Sequence, residues 1–366
     1  MIDLSPLFTP FTCKSLRLAN RFAMAPMTRT RSPSGVPTDD VVAYYERRAA
    51  HGVGLIVTEG TTVEHAVATL HPDVPRFWGE ESRLMWKAVA TAVHAEGGSI
   101  VPQLWHVGSA RRPGTHPFPE ETSIGPSGLV APGKKKIREM TDADIADVIE
   151  AFSKSARYAK ELGFDGLELH GAHGYLIDQF FWDGLNERAA PWGGSLAERT
   201  RFATEIVKAC RREVGEDFAI ILRFSQWKQQ DYTAKLARTP GELETFLAPL
   251  VASGVDVFHC STRRFWLPEF EGSELGLAGW TKKLSGKPTI LVGSVGLDQE
   301  FIGAFGGQGA AIRSIDELVP RFEQGEFDLV AVGRALLQDP EWVEKLREGR
   351  AAEIRPFDAA ALATLY

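Results

Sequence analysis

The stretch "FDGLELHGAHGYLIDQFFWDGLNERAAPWGGS" (residues 164–195) changes character within its first dozen residues. Leu167 and Leu169 alternate with Glu168 and His170, the period of a β-strand with two different faces. Gly171 and Gly174 then interrupt the pattern, and His170, His173 and Tyr175 fall within six residues. Metal ligation, general acid chemistry, anion recognition and structural hydrogen bonding all suit two imidazoles and a phenol so placed.

Upstream of this strand, residues 142–162 predict an amphipathic helix, opened by Thr141 and Asp144 as a capping box, with Ile145, Val148, Phe152 and Ala156 on one face. Residues 196–214 and 240–253 have the same period. Short apolar, β-branched runs recur between such segments: 21–27, 55–61, 100–106, 164–170, 218–225, 255–261, 289–295 and 329–336. Eight strands alternating with helices predict a closed (β/α)₈ TIM barrel, which removes both sheet edges. An open doubly wound sheet is the alternative, but no GxGxxG follows the first strand. We expect one domain over 1–366, with loop excursions at 107–139 and 262–278 over the C-terminal mouth. No internal repeat or low-complexity tract is visible.

The composition, 44% hydrophobic and 24% charged, supports a sizeable buried core. A net charge of −7 speaks against a broad nucleic-acid surface. Cys13, Cys210 and Cys260 are far apart, which disfavours a disulfide framework and a cysteine-held zinc or iron–sulfur site. With neither a signal segment nor a membrane-length apolar run, a cytoplasmic protein is expected. The run Lys134 to Lys136 reads as a solvated loop or as a surface for an acidic cofactor. A homo-oligomer is left open.

A barrel draws its chemistry from the C-terminal ends of its strands. Those ends offer Thr28, Glu59, Gly60, Gln103, His106, His170, Arg223, His259, Gly293, Ser294, Gly333 and Arg334. The glycine turns at Gly293–Ser294 and Gly333–Arg334 occupy the seventh and eighth positions, where barrels commonly hold a phosphate. Arg223, inside an apolar run, must point into the mouth or pair with a carboxylate such as Glu168. Gln103 has the donor and acceptor to read the edge of a heterocycle.

Together "NRFAMAPMTR", "YYERRA", "GLIVTEGT", "QLWHVG", "GFDGLELHGAHGYLIDQFFWDGLNER", "WGGS", "LRFS" and "AVGRALLQDP" resemble, in order, the Old Yellow Enzyme family of flavin-dependent ene-reductases. The resemblance spans nearly the whole chain. It implies an FMN-bearing barrel that takes hydride from NAD(P)H and passes it to an activated alkene. It further implies that Pro26, Met27 and Thr28 line the flavin, that Gly60 and Gln103 meet its polar rim, and that Arg223 stands beside N1 and C2=O. Gly293, Ser294, Gly333 and Arg334 become the phosphate cradle. His170 and His173 become the donors to the substrate oxygen, and Tyr175 the acid that protonates the α-carbon. Beyond the resemblance, Phe265, Trp266 and Phe270 are expected either to cap the substrate pocket or to pack against neighbouring loops or a second subunit.

The sequence departs from the family in two places. An Asp usual before "WGG" is replaced in "NERAAPWGG", and "STRRFWLPEFEGSELG" is unlike the commonest members. No metal is expected, since the histidine spacing lacks the HExxH form of a helical zinc pair. Three rivals to an ene-reductase are kept: a flavin-binding redox sensor without turnover, an iron–sulfur relative that reduces dienoyl thioesters, and a metal-dependent barrel hydrolase.

Overall fold

The alternating strand around Leu167 is the fourth of eight parallel strands that close into a ring in the computed structural model, which describes residues 3–366. In chain order they are β1 (Phe22–Met24), β2 (Leu55–Thr62), β3 (Ser99–Trp105), β4 (Gly166–His173), β5 (Ala219–Lys228), β6 (Val257–Ser261), β7 (Thr289–Val292) and β8 (Leu329–Val332). Pairing of Val330, Ala331 and Val332 with Phe22, Ala23 and Met24 joins the last strand to the first. The architecture is the (β/α)₈ barrel expected from the alternation.

Several boundaries move for physical reasons. β1 stops before Pro26, which has no N–H to give a ladder. β8 ends at Val332, and Arg334–Gln338 is helical rather than extended. β5 runs three residues past its expected end, because Lys228 pairs with His173 beyond a bulge in β4. The helical segment at 196–214 divides at Thr200 into Leu196–Arg199 and Arg201–Val214.

Outside the ring lie α1 (Asp39–Ala50), α2 (Glu80–Ala95), α3 (Asp142–Glu161), α4 (Leu176–Phe181), α5 (Arg201–Val214), α6 (Pro240–Ser253), α7 (Leu277–Ser285) and α8 (Leu318–Glu323). α3 has the expected Thr141–Asp144 capping box and buries Ile145, Val148, Phe152 and Ala156 against the strands. Inside the ring, Ala23, Leu55, Val57, Val101, Ala219, Ile221, Val257, Ile290 and Leu329 form a separate apolar core. Phe11, Leu16 and Leu18, from a hairpin of Phe11–Cys13 and Leu16–Leu18, plug its N-terminal end. Farther along the same inward-facing rows stand Gln103, Glu168, Arg223 and His259, so the interior turns from apolar at its floor to polar at its mouth.

Side-chain clasps recur at the N-terminal ends. Asp165, just before β4, accepts from Ile100 N of β3 at 2.7 Å. Asp256, before β6, accepts from Ile220 N of β5 at 2.9 Å, and Asp328, before β8, from Thr289 N of β7 at 3.0 Å. Asn20, before β1, accepts from Phe22 N at 3.0 Å and donates to Gly52 O, in the turn leading to β2, at 2.9 Å.

The 107–139 excursion has structure of its own: Ile124–Gly125 pairs with Arg138–Glu139, and Leu129–Ala131 with Lys134–Lys135. Lys134, Lys135 and Lys136 are exposed, and Lys135 pairs with Glu139 at 3.1 Å. No described helix is long and apolar enough to cross a membrane.

Candidate active site

Glu168 is fully buried, one inward position below His170. Its carboxylate accepts from Gln103 Nε2 at 2.8 Å and pairs with His259 Nδ1 at 2.6 Å. Burial pushes Glu168 upward, but His259, the Arg223 charge and the Gln103 amide outweigh it and hold the carboxyl below its ordinary range. Burial keeps His259 below its ordinary value against the pull of Glu168. Arg223 makes no ion pair with Glu168. Burial lowers its guanidinium to about 10, which still leaves it charged at neutral pH.

Above this layer the three ring residues singled out in the sequence come together. The His170 ring lies 5.1 Å from that of His173 and 5.0 Å from that of Tyr175, both edge-on. Trp105 stacks beside His170 and meets Tyr175 edge-on at 4.8 Å; Trp227 stacks on His173 at 4.6 Å. Burial, then the Arg223 charge, drives both histidines well below their ordinary values, so both are neutral and each carries one N–H. His170 Nδ1 accepts from Ala172 N at 3.4 Å, which leaves the proton on Nε2. Ser261 Oγ accepts from Arg223 Nη2 at 3.4 Å and lies 2.8 Å from His173 Nε2. With the Ser261 hydrogen directed at Nε2, the one N–H of the neutral His173 ring falls on Nδ1. Each ring thus keeps one N–H donor.

The turn that presents them is tightly held. His173 adopts φ +66°, a left-handed conformation rare outside glycine, and Gly174 follows at φ +78°. Every residue but one of 225–230 grips it. Ser225 Oγ accepts from His173 N at 3.0 Å, Gln229 N donates to His173 O at 3.3 Å, and Gln230 Nε2 donates to Gly174 O at 3.0 Å. Lys228 and Asp178, both fully buried, pair at 2.5 Å, and Asp178 also accepts from Gly174 N at 2.6 Å. Gln229 Nε2 donates to the Tyr175 hydroxyl at 3.0 Å. Burial raises the Tyr175 phenol, partly opposed by that bond, so it is protonated at neutral pH.

Around the rest of the mouth, Pro26 and Met27 are half-buried and Thr28 is exposed. Glu59 accepts from Arg29 N at 2.7 Å and Thr30 N at 3.3 Å, fixing the chain after Thr28. A Cβ on Gly60 would strike the Trp105 indole, so this glycine is what lets Trp105 approach. Gly293, at φ +149°, admits the Thr262–Phe265 turn, where a Cβ would collide with Thr262. Ser294 Oγ lies 2.9 Å from Arg263 O and Gln299 O, and Arg334 donates to Gln299 O and Glu300 O. Gly333 caps the helix that Arg334 begins and adjoins Met27.

Phe265 and Trp266 take the packed alternative of the two expected for them. Their side chains join the apolar layer between strands and helices, and Trp266 lies under the Arg313 guanidinium at 3.8 Å. The aromatics that do flank the histidines are Trp105 and Trp227. Trp105 lies within "QLWHVG", whereas "SQWKQQ" (225–230) carries no sequence signal, because its partners are some fifty residues away.

FMN fits these residues. The buried Arg223 Nε has no partner, and a ring with carbonyl acceptors would satisfy it. The exposed Thr28 and the two glycine turns with Arg334 continue the same rim. Among described residues no group of three or more His, Cys, Asp or Glu is placed to hold a metal.

The family model for the NADH:flavin oxidoreductase / NADH oxidase family matches residues 6–306. 12-Oxophytodienoate reductase 7 of Oryza sativa subsp. japonica is 34% identical over 361 residues, covering 94% of this chain and 88% of the relative. Morphinone reductase, solved in complex with tetrahydroNAD, superposes with a TM-score of 0.81 at 27% identity, over 97% of this chain and 93% of that one. The old yellow enzyme homologue from Zymomonas mobilis shares the fold, with a TM-score of 0.81 at 23% identity over 98% and 96% of the two chains.

Proposed function

Because this chain belongs to the NADH:flavin oxidoreductase / NADH oxidase family, enzymes that use FMN with NAD(P)H as reductant, we propose that it is an ene-reductase for α,β-unsaturated carbonyl or nitro compounds. The observation that carries the reading is the convergence of two neutral imidazole N–H donors and a protonated phenol on one mouth. Two relatives are reductases named for oxo compounds, 12-oxophytodienoate and morphinone, which supports a carbonyl as the group held.

Bound FMN supplies a hydride, taken from NAD(P)H and passed to the alkene β-carbon. His170 Nε2 and His173 Nδ1 donate to the substrate oxygen and draw electron density from the alkene. Tyr175 gives its hydroxyl proton to the α-carbon. Arg223, charged and short of acceptors, holds the carbonyl edge of the flavin. Gln103, Pro26, Met27, Thr28 and Gly60 line the flavin ring, while Gly293, Ser294, Gly333 and Arg334 hold its phosphate. One mouth serves both substrates in turn, so ping-pong kinetics are expected.

Purified protein should be yellow and bleach when NADPH or NADH is added without oxygen. Tyr175→Phe should leave that bleaching intact and slow reoxidation by cyclohexenone by about a hundredfold. Wild-type reoxidation in the variant would overturn the assignment of the acid, and rapid steady NAD(P)H turnover with the alkene separates an enzyme from a sensor.

A further inference from the structure

We propose that Gln229 is a positioning residue for proton delivery: its side-chain amide aims the Tyr175 hydroxyl into the mouth and steadies the phenolate left after the proton departs. The proposal rests on the reading of Tyr175 as the proton donor.

The Gln229 Nε2–H···O bond to Tyr175, at 3.0 Å, reaches the phenol from the rim, since Gln229 is itself exposed. An oxygen that accepts there directs its own hydrogen elsewhere. The walls around the ring offer that hydrogen no acceptor: Trp105 Nε1 is a donor with no partner, and His170 Nδ1 is already taken by Ala172 N, leaving only an N–H on Nε2. The proton therefore faces the space between Trp105, His170 and His173, where a substrate carbon would lie.

Placement of the amide is no accident of a loose side chain. Gln229 N is bonded to His173 O, Lys228 on one side is locked to Asp178, and Gln230 on the other is bonded to Gly174 O. The backbone carrying the donor is thus tied to the turn carrying the acid. In the step itself the Tyr175 O–H bond breaks and an α-carbon C–H bond forms, using the electron pair left on the substrate after hydride has reached the β-carbon. Solvent returns the proton to Tyr175. The phenolate that exists between those events sits half-buried against Trp105 and His170, where an added N–H donor steadies it.

The test labels tyrosines with ¹³C at Cζ, assigns Tyr175 by its loss in Tyr175→Phe, and titrates it in FMN-loaded protein. Gln229→Met removes the donor, and Gln229→Glu replaces it with an acceptor that turns the hydroxyl outward. We expect the Tyr175 midpoint to rise by about one pH unit in the Met variant and further in the Glu variant. Single-turnover alkene reduction should fall about tenfold, and the loss should lie in that half-reaction. Gln229→Lys, which restores a donor, should recover much of both. An unmoved Tyr175 midpoint in both Met and Glu variants overturns the proposal even if rates fall, because a merely structural role would slow the enzyme without changing the phenol's acidity. Undiminished alkene reduction in Tyr175→Phe would instead remove the reading beneath it.

Discussion

Glu59 sits at the end of β2 with one carboxylate oxygen bonded to Arg29 N and Thr30 N and the other without a partner. Burial raises its pKa from 4.5 to about 7, against the pull of those donors and of the Arg29 charge. Between these values the folded chain keeps a proton that the unfolded chain has released. Stability therefore falls as pH rises through that window and levels off above it. Glu59→Gln abolishes the titration, so the variant should gain on the wild type by up to about 3 kcal/mol between the two plateaus. Urea unfolding of both proteins at about pH 5 and about pH 8 measures it, and an unchanged difference would refute the shift. At this scale the sequence was informative wherever chemistry repeats a fixed spacing: His170, His173 and Tyr175 were found, and they do meet. It was silent on Ser261, whose hydroxyl lies 2.8 Å from His173 Nε2, because that bond joins residues of β4 and β6.

Between elements, the Lys228–Asp178 pair ties the end of β5 to the first turn of α4. Burial pulls Lys228 down and pushes Asp178 up, and each charge counters the shift in the other. Lys228→Met would strand a buried carboxylate and should cost about 3–5 kcal/mol. Adding Asp178→Asn, which can still accept from Gly174 N, should return a good part of that loss in a thermal melt. If the second change makes matters worse, the pair is not the seat of the cost. Strand and helix positions were legible because a period of two or 3.6 is imposed locally. Where a loop goes is decided by what it packs against. The sequence therefore left Phe265 and Trp266 open between pocket wall and packing, and in the fold they fill the outer layer, Trp266 under Arg313.

Across the whole molecule, the two ends of the ring differ: the polar mouth gathers the candidate site residues, and the opposite end holds the clasps. Asp256→Ala removes the acceptor for Ile220 N and the partner of Arg211. It should lower stability by about 2 kcal/mol while leaving the flavin spectrum and alkene reduction unchanged. A loss of activity at full flavin occupancy would mean the two ends are coupled. The alternation of strand and helix made the barrel legible, but not these clasps, since an Asp before a strand also suits an ordinary turn. Their placement is regular: Asn20 serves strands one and two, Asp165 three and four, Asp256 five and six, Asp328 seven and eight. Other side chains cross from one such pair to the next: Ser15 Oγ donates to Asp165 O at 2.6 Å and accepts from Ala219 N at 2.8 Å, and Arg21 Nη1 donates to Asp328 O at 3.4 Å, so the floor of the cylinder is sewn as a continuous hem.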